Sequence, residues 1–240
     1  MKTQALQCDT LVVGGGIGGL TSALDLADQG FQVAVVEREP SIGGVMIALS
    51  KVFPTLDCAS CITTPRMAAA AHHPNIEILT YTEVDSITRN GSVFRANLTR
   101  KPRYVDESLC IGCRQCEYVC PVDLPHEFEG GLGARKAIYV PFATAIPQKA
   151  VLDAENCMLC GSCEKVCPTH AVDYFQQPEE ITVEARSVIL ATGFQLTPKD
   201  GKREYAPKGS LNILSSLQME RLLSPHGPYG RIIRPSDGKV

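Results

Sequence analysis

The sequence predicts an α/β chain: a nucleotide-binding type of strand, turn, helix and strand at its start, and a cysteine-rich α+β insertion further on. Three observations predict this. A glycine run, Gly14-Gly15-Gly16-Ile17-Gly18-Gly19, stands between two apolar stretches. One cysteine phrase, C-x₂-C-x₂-C-x₃-C-P, is written twice, as Cys110, Cys113, Cys116, Cys120, Pro121 and as Cys157, Cys160, Cys163, Cys167, Pro168. Strand-like composition then resumes, over Ile181 to Glu184 and Ser187 to Ala191.

The first elements follow from residue types. Thr10 to Val13 is a short apolar strand; Leu20, Ala23, Leu24 and Ala27 mark one face of a helix ending near Gly30; Val33 to Val36 is a second strand that stops at Glu37. Gly14, Gly16 and Gly19 satisfy G-x-G-x-x-G. In that motif the glycines permit a tight turn, a close backbone approach to a pyrophosphate, and close helix–strand packing. The helix N-terminus then faces the phosphates, and Glu37 is placed to accept from a ribose hydroxyl. Thr64-Pro65 and the alanine-rich Met67 to Ala71 predict a helix capped at Thr64. Ile76 to Leu79 is extended, and Val84 to Arg89, Asn90-Gly91 and Ser92 to Thr99 predict a hairpin in which Phe94, Ala96 and Leu98 alternate with polar residues.

The doubled cysteine phrase predicts two [4Fe–4S] clusters. Three thiolates two residues apart can wrap three corners of a cube from one loop, and the fourth cysteine reaches the other cluster. Cys110, Cys113, Cys116 and Cys167 are thereby assigned to one cluster, and Cys157, Cys160, Cys163 and Cys120 to the second. A zinc site closes at four ligands and has no use for the third cysteine of each phrase or the trailing proline. The backbone amides of Ile111, Gly112, Met158 and Gly161 are expected to bond the sulfurs. Cys58 and Cys61 form a separate C-x₂-C, read as a redox dithiol, as ligands to a further cluster, or as buried thiols. Cys8 is expected to be buried, His72 and His73 to cap or pack the alanine-rich helix, and His170 to face solvent.

Charge is nearly balanced, with 23 Lys and Arg against 26 Asp and Glu, so nothing electrostatic favours nucleic acid or an anionic membrane. Arg100, Lys101 and Arg103 read as an ordinary solvated connection. The 11 cysteines are explained as ligands in a reducing cytoplasm, because no secretory leader opens the sequence and no apolar run approaches the roughly 20 residues of a bilayer span.

The segment Glu37-Arg38-Glu39-Pro40-Ser41-Ile42-Gly43-Gly44 resembles that of two-dinucleotide-binding-domain flavoproteins, and Val188-Ile189-Leu190-Ala191-Thr192-Gly193 is similar to the segment with which they return to their FAD domain. The resemblance implies FAD, with Gly14, Gly16, Gly18, Gly19, Glu37, Gly43, Gly44, Val84, Ala191, Thr192 and Gly193 as its contacts. The expected fold is a Rossmann-like FAD-binding domain of this flavoprotein type, incomplete, with an inserted two-cluster ferredoxin-like domain. The expected boundaries are 1–100 and 181–240 for the flavin domain and 101–180 for the insertion.

Taken together, the glycine run, Glu37 to Gly44, Phe53-Pro54-Thr55-Leu56-Asp57-Cys58-Ala59-Ser60-Cys61, His73-Pro74-Asn75, Lys101-Pro102-Arg103-Tyr104-Val105, the spacer Gly131 to Tyr139 with Pro147, and both cysteine phrases resemble the family of heterodisulfide reductase A-subunits. The resemblance implies an oxidoreductase subunit in a hetero-oligomer that relays electrons between FAD, two clusters and its partners. The implied partners are other heterodisulfide reductase-like subunits, ferredoxin, or a hydride-donating dehydrogenase or hydrogenase. Family members continue further at the C-terminus, so a truncated chain is expected. The alternative is a ferredoxin-type electron-carrier or assembly subunit whose nucleotide fold is structural or incomplete.

Overall fold

A computed structural model describes residues 3–197, Gly201, Glu204 and 211–240. β1 (Thr3–Val13) leads through the glycine run into α1 (Ile17–Ala27) and β2 (Val33–Val36). A short ribbon of β3 (Lys51–Val52) and β4 (Asp57–Cys58) precedes α2 (Ala59–His72), which is followed by β5 (Ile76–Leu79) and the hairpin of β6 (Thr82–Asn90) and β7 (Val93–Arg100). The cysteine-rich part holds α3 (Gln115–Val119), β8 (Asp123–Pro125), β9 (Ala134–Lys136), β10 (Ile138–Tyr139), β11 (Val151–Leu152) and α4 (Ser162–Val166). The chain returns in β12 (Glu179–Leu190), and α5 (Ser216–Leu223) follows. No helix among the described residues is long and apolar enough to cross a membrane.

One sheet, in the order β5-β2-β1-β12-β7-β6, organises the flavin-side half. β5, β2, β1 and β12 are parallel, whereas β7 runs against β12 and β6 against β7. All four residues of β2 are buried because both its faces are covered, as in parallel sheets generally. Val12, Val33 and Val35 pack with Ala23 and Ala27 of α1, while Leu11, Ala34 and Val36 join Ala96, Leu98, Ile181 and Val183 on the opposite face. β1 and β12 are long, and their pairing runs from Thr3 opposite Glu180 to Val13 opposite Leu190. The first half of β12 carries β7 of the hairpin, and the second half of β1 carries β2 and leads into the glycine turn.

Three local expectations are corrected. The alanine-rich helix begins at Ala59, not at Thr64; its cap is Cys58, and Pro65 lies inside it. The sequence cue misled because Pro at a first helical turn and Pro within a helix look alike without knowing where the helix starts. Arg103 is not solvated: it is 5% exposed and donates to the Pro40 carbonyl at 2.6 Å and to Thr80 Oγ1 at 2.8 Å. Cys8 is half-buried and lies in mid-strand against the sheet core. His72 and His73 do finish α2, His72 bonding the Ala68 carbonyl and His73 lying at the cap beside Asp28, and His170 is exposed.

The cysteine-rich part reaches back to the flavin-side half at three places. Arg103 is the first. At the second, Ile146 and Ser41 exchange hydrogen bonds at 2.9 and 3.2 Å, and Ile42 N–H donates to the Ile146 carbonyl at 3.0 Å. At the third, α5 acts as a clasp. Its Arg221, 2% exposed, forms a bidentate pair with Glu129 at 2.9 and 3.1 Å and also donates to the carbonyls of Ala48 and His226, while its guanidinium lies over Phe128. Glu220 accepts from Ser50 N–H at 2.8 Å. Replacing Arg221 by Ala removes a buried guanidinium with all its bonds and leaves the half-buried Glu129 without its counter-charge, so urea denaturation of R221A is expected to show about 3 kcal/mol less stability, the low end for removal of one partner from a buried pair; a loss under about 1 kcal/mol would contradict the clasp.

Candidate functional site

Three segments distant in sequence meet at the end of β1. Gly14 has φ of +112°, and a Cβ there would lie 2.2 Å from the Ala191 carbonyl oxygen. A Cβ on Gly19 would lie 1.9 Å from the Gly14 carbonyl oxygen, and one on Gly44 would lie 2.7 Å from Gly16 Cα. No side chain can occupy these positions without displacing backbone. Gly43 N–H donates to the Gly15 carbonyl at 2.8 Å, and Ala191 N–H to the Val13 carbonyl at 2.8 Å. The glycine run, the Gly43-Gly44 turn and Ala191-Thr192-Gly193 therefore form one wall, with the uncapped N-terminus of α1 at Gly16. Gly18 is open, with nothing near its missing Cβ. Val84 stands apart from this wall: its side chain packs into the sheet core at a register irregularity in β6.

Glu37, 7% exposed, holds the wall's geometry. Its Oε2 accepts from Gly15 N–H at 2.8 Å and its Oε1 from Glu39 N–H at 2.9 Å. Burial pushes its carboxyl above the ordinary 4.5, and the two amides offset this only in part. A carboxylate has about four acceptor sites, so two remain for a ligand hydroxyl.

The doubled phrase folds twice into one backbone shape. Gly112 and Leu159 have φ of +68° and +54°, Arg114 and Gly161 have φ of +63° and +71°, and each of the latter pair caps a five-residue helix that ends at Cys120 or Cys167. Gly112 has no freedom to change, since a Cβ would lie 2.4 Å from the Gln148 carbonyl oxygen. Two cavities result. Cys110, Cys113 and Cys116 line one together with Cys167, and Cys157, Cys160 and Cys163 line the other together with Cys120. Apolar side chains fill in the walls: Val105, Ala150 and Val172 in the first, Val122 and Leu152 in the second, and Ile138 in both. Four thiols on an apolar lining suit an iron–sulfur cube, whose ligands are thiolates and whose potential is set by burial and hydrogen bonds.

Ile111 and Gly112 line the first cavity, and Met158 and Gly161 the second. The amides that donate to thiol sulfur are others: Leu159 to Cys157 at 3.4 Å and Ala171 to Cys167 at 3.3 Å. Tyr174 Oη lies 3.3 Å from Cys163 Sγ. Sequence reasoning missed Tyr174, Ile138 and Ala171, which no spacing marks; Leu159 was findable as the counterpart of Gly112 in the repeat.

Cys58 caps α2, its Sγ accepting from Cys61 N–H at 3.3 Å and lying 3.1 Å from Ser60 Oγ. Bonding to the Cys61 thiol, then to Ser60, holds the Cys58 thiol below its ordinary range, while Cys61 is pushed up by Cys58. A helix N-terminus favours a thiolate in the same direction.

A nucleotide-type glycine wall joined to paired four-cysteine cavities defines a flavin and iron–sulfur protein class. The family described as "FAD binding domain" matches residues 9–51, and the family described as "4Fe-4S dicluster domain" matches residues 109–172. The chain belongs to the family of heterodisulfide reductase A-subunits. It is 48% identical to the iron-sulfur A-subunit of CoB--CoM heterodisulfide reductase from Methanocaldococcus jannaschii, over 95% of this chain and 35% of that protein. It is 49% identical to the A-subunit of H(2)/formate:CoB-CoM heterodisulfide,ferredoxin reductase from Methanococcus maripaludis, over 96% of this chain and 35% of that one. It is 48% identical to the first of two iron-sulfur A-subunits of CoB--CoM heterodisulfide reductase from Methanopyrus kandleri, over 99% of this chain and 36% of that one. The chain thus spans about a third of the length of these relatives. Among solved structures, L-proline dehydrogenase from P. horikoshii overlaps 42% of this chain and 20% of its own, at 22% identity and a TM-score of 0.38.

Two outcomes follow from this geometry. Because the Glu37 carboxyl is raised in the folded chain, the folded state holds its proton more tightly. Its contribution to stability is therefore fully present below the unfolded value of 4.5 and is lost as pH rises through the folded value. Glu37→Gln should abolish this slope and, by setting an amide N–H₂ against one of two N–H donors, cost about 1–3 kcal/mol in denaturation; an unchanged slope would contradict it. Brief alkylation near neutral pH, mapped by peptide mass, should label Cys58 before Cys61 although Cys61 is the more exposed; the reverse order would contradict the capping effect.

Proposed function

We propose that the chain is an FAD and iron–sulfur oxidoreductase subunit of the heterodisulfide reductase type, which relays electrons between a flavin, two [4Fe–4S] clusters and partner subunits. The observation that carries this is the crossing of the cysteine sets: the last cysteine of each phrase lines the cavity of the other. Cys110, Cys113, Cys116 and Cys167 hold one cluster, and Cys157, Cys160, Cys163 and Cys120 the other. The division into 1–100, 101–180 and 181–240 has support in the pairing of Arg100 with Glu179, which sets the two ends of the insertion side by side.

FAD, when bound, supplies the exchange between two-electron and one-electron steps. The residues do the rest. Gly14, Gly16, Gly18 and Gly19 admit the pyrophosphate at the N-terminus of α1, and Glu37 accepts from the ribose with its remaining acceptor sites. Gly43, Gly44, Ala191, Thr192 and Gly193 line the same wall, and Val84, whose side chain packs into the sheet core, would meet the flavin only through its backbone. Cys58 and Cys61 are functional, as a dithiol or as ligands to a further cluster; both need the thiolate that the cap of α2 favours. The names of the relatives support a hetero-oligomer with other heterodisulfide reductase-like subunits, ferredoxin, or a hydride-donating dehydrogenase or hydrogenase, and the use of cysteines as cluster ligands supports a cytoplasmic place for it.

Anaerobic reconstitution should give a flavin absorbance and about eight irons with matching acid-labile sulfide per chain, as two four-iron cubes require. More iron than that points to a further cluster at Cys58 and Cys61. Cys120→Ala and Cys157→Ala should disturb one and the same cluster signal in electron paramagnetic resonance, and Cys167→Ala and Cys110→Ala the other. Zinc without sulfide, or Cys120 grouping with Cys110, would overturn the assignment; clusters without flavin affinity would favour the simple electron carrier.

A further inference from the structure

The two cysteine cavities differ in how they join the flavin-side half. Between the phrases the chain turns back over Ser41–Gly43, where Ile42 N–H and Ser41 Oγ bond the Ile146 carbonyl and Ile146 N–H bonds Ser41 Oγ. Shortly after, the Gln148 carbonyl lies against Gly112, at 2.4 Å from where a Cβ would stand, and the Lys149 ammonium donates to the Cys110 carbonyl. Ala150 lines the first cavity. Phe142 packs against both the core under the Gly43 turn and the core around the cysteines. The run 146–150 thus lies backbone against backbone with the flavin-side turn at one end and the first cysteine loop at the other.

The second cavity has a more indirect tie. Arg103 reaches the Pro40 carbonyl with its guanidinium, and only through its full side chain and its own carbonyl does it meet Leu152 N–H, at 2.9 Å. Leu152 lines the second cavity, and Ile138, 1% exposed, stands between the two.

We infer that the cluster held by Cys110, Cys113, Cys116 and Cys167 is the first to receive electrons from the flavin, and that Lys149 is a positioning residue that favours its reduction. This rests on the FAD and two-cluster function proposed above. A reduced cluster carries one more negative charge than an oxidised one, and a fixed ammonium beside it, half-buried and weakly screened, stabilises that charge. Reduced FAD, when bound, would supply two electrons and release two protons to water. Ile138, which lines both cavities, would separate the clusters as one electron passed by way of the first to the second and the other stayed on the first, so that two cluster reductions would balance one flavin oxidation.

The test uses the full chain reconstituted with FAD, iron and sulfide. Cys113→Ser and Cys160→Ser identify the two cluster signals, by change or by loss. Bound flavin is then reduced by light with EDTA as donor, and samples are freeze-quenched. The signal sensitive to Cys113 should rise first. In equilibrium titration K149M should move the midpoint of that signal alone to lower potential and slow its rise several-fold, while K149R keeps both. A first rise of the Cys160-sensitive signal would overturn the order even if K149M fails to fold. Unmoved midpoints in K149M would overturn the role of the lysine. A preparation without bound flavin, or with a single cluster signal, would overturn the underlying function and the order with it.

Discussion

The parallel pairing of β1 with β12 is the constraint on which the rest depends. It joins the two ends of the flavin-side half across the whole insertion, from Thr3 opposite Glu180 to Val13 opposite Leu190. Where the pair ends, the chain must turn on one side at Gly14 and continue on the other through Ala191, and the two backbones are so close that only glycine fits at position 14. The nucleotide wall is thus a product of strand register. A slip of β12 by one residue would turn its buried face, Ile181, Val183 and Ala185, outward, which is why register is strongly fixed where one face is buried.

The insertion is held to that frame by polar contacts at its seam, set around a few shared apolar side chains. Arg103 and Arg221 are both almost fully buried, and each gathers carbonyl oxygens from the flavin-side half: Pro40 for one, Ala48 for the other. A buried arginine needs partners for its donors: Arg221 meets Glu129 and two backbone carbonyls, whereas Arg103 meets Pro40, Thr80 and Glu107 through Nη2 and Nε and leaves Nη1 buried without a partner. Such contacts fix orientation more than they add stability, because desolvation of the charge offsets much of the gain. The electron relay proposed for this chain needs fixed separations, and a directional seam supplies them.

Legibility followed sequence distance. The glycine run, the acid at the end of β2 and both cysteine phrases were readable because each is a local spacing with one mechanical use. The partition of the cysteines between two cavities was also readable, through the repeat. Arg103 was misread as a solvated connection, since its burial depends on Pro40 and Thr80 across the seam. Thr64-Pro65 imitated a helix start, while the real cap, Cys58, uses a thiol where serine or aspartate is the usual signal. Tyr174, Ile138 and the clasp residue Arg221 touch their partners only through tertiary packing, and no periodicity announces them.

The pairing of Arg100 with Glu179 has one more consequence. β7 and β12 are antiparallel neighbours, the arrangement that a two-residue turn can close. The whole cysteine-rich unit therefore occupies the place of a hairpin loop. A flavin sheet can gain or lose such a unit without altering the register of a single strand, which makes the joining of flavin and clusters in this chain a grafting at a turn.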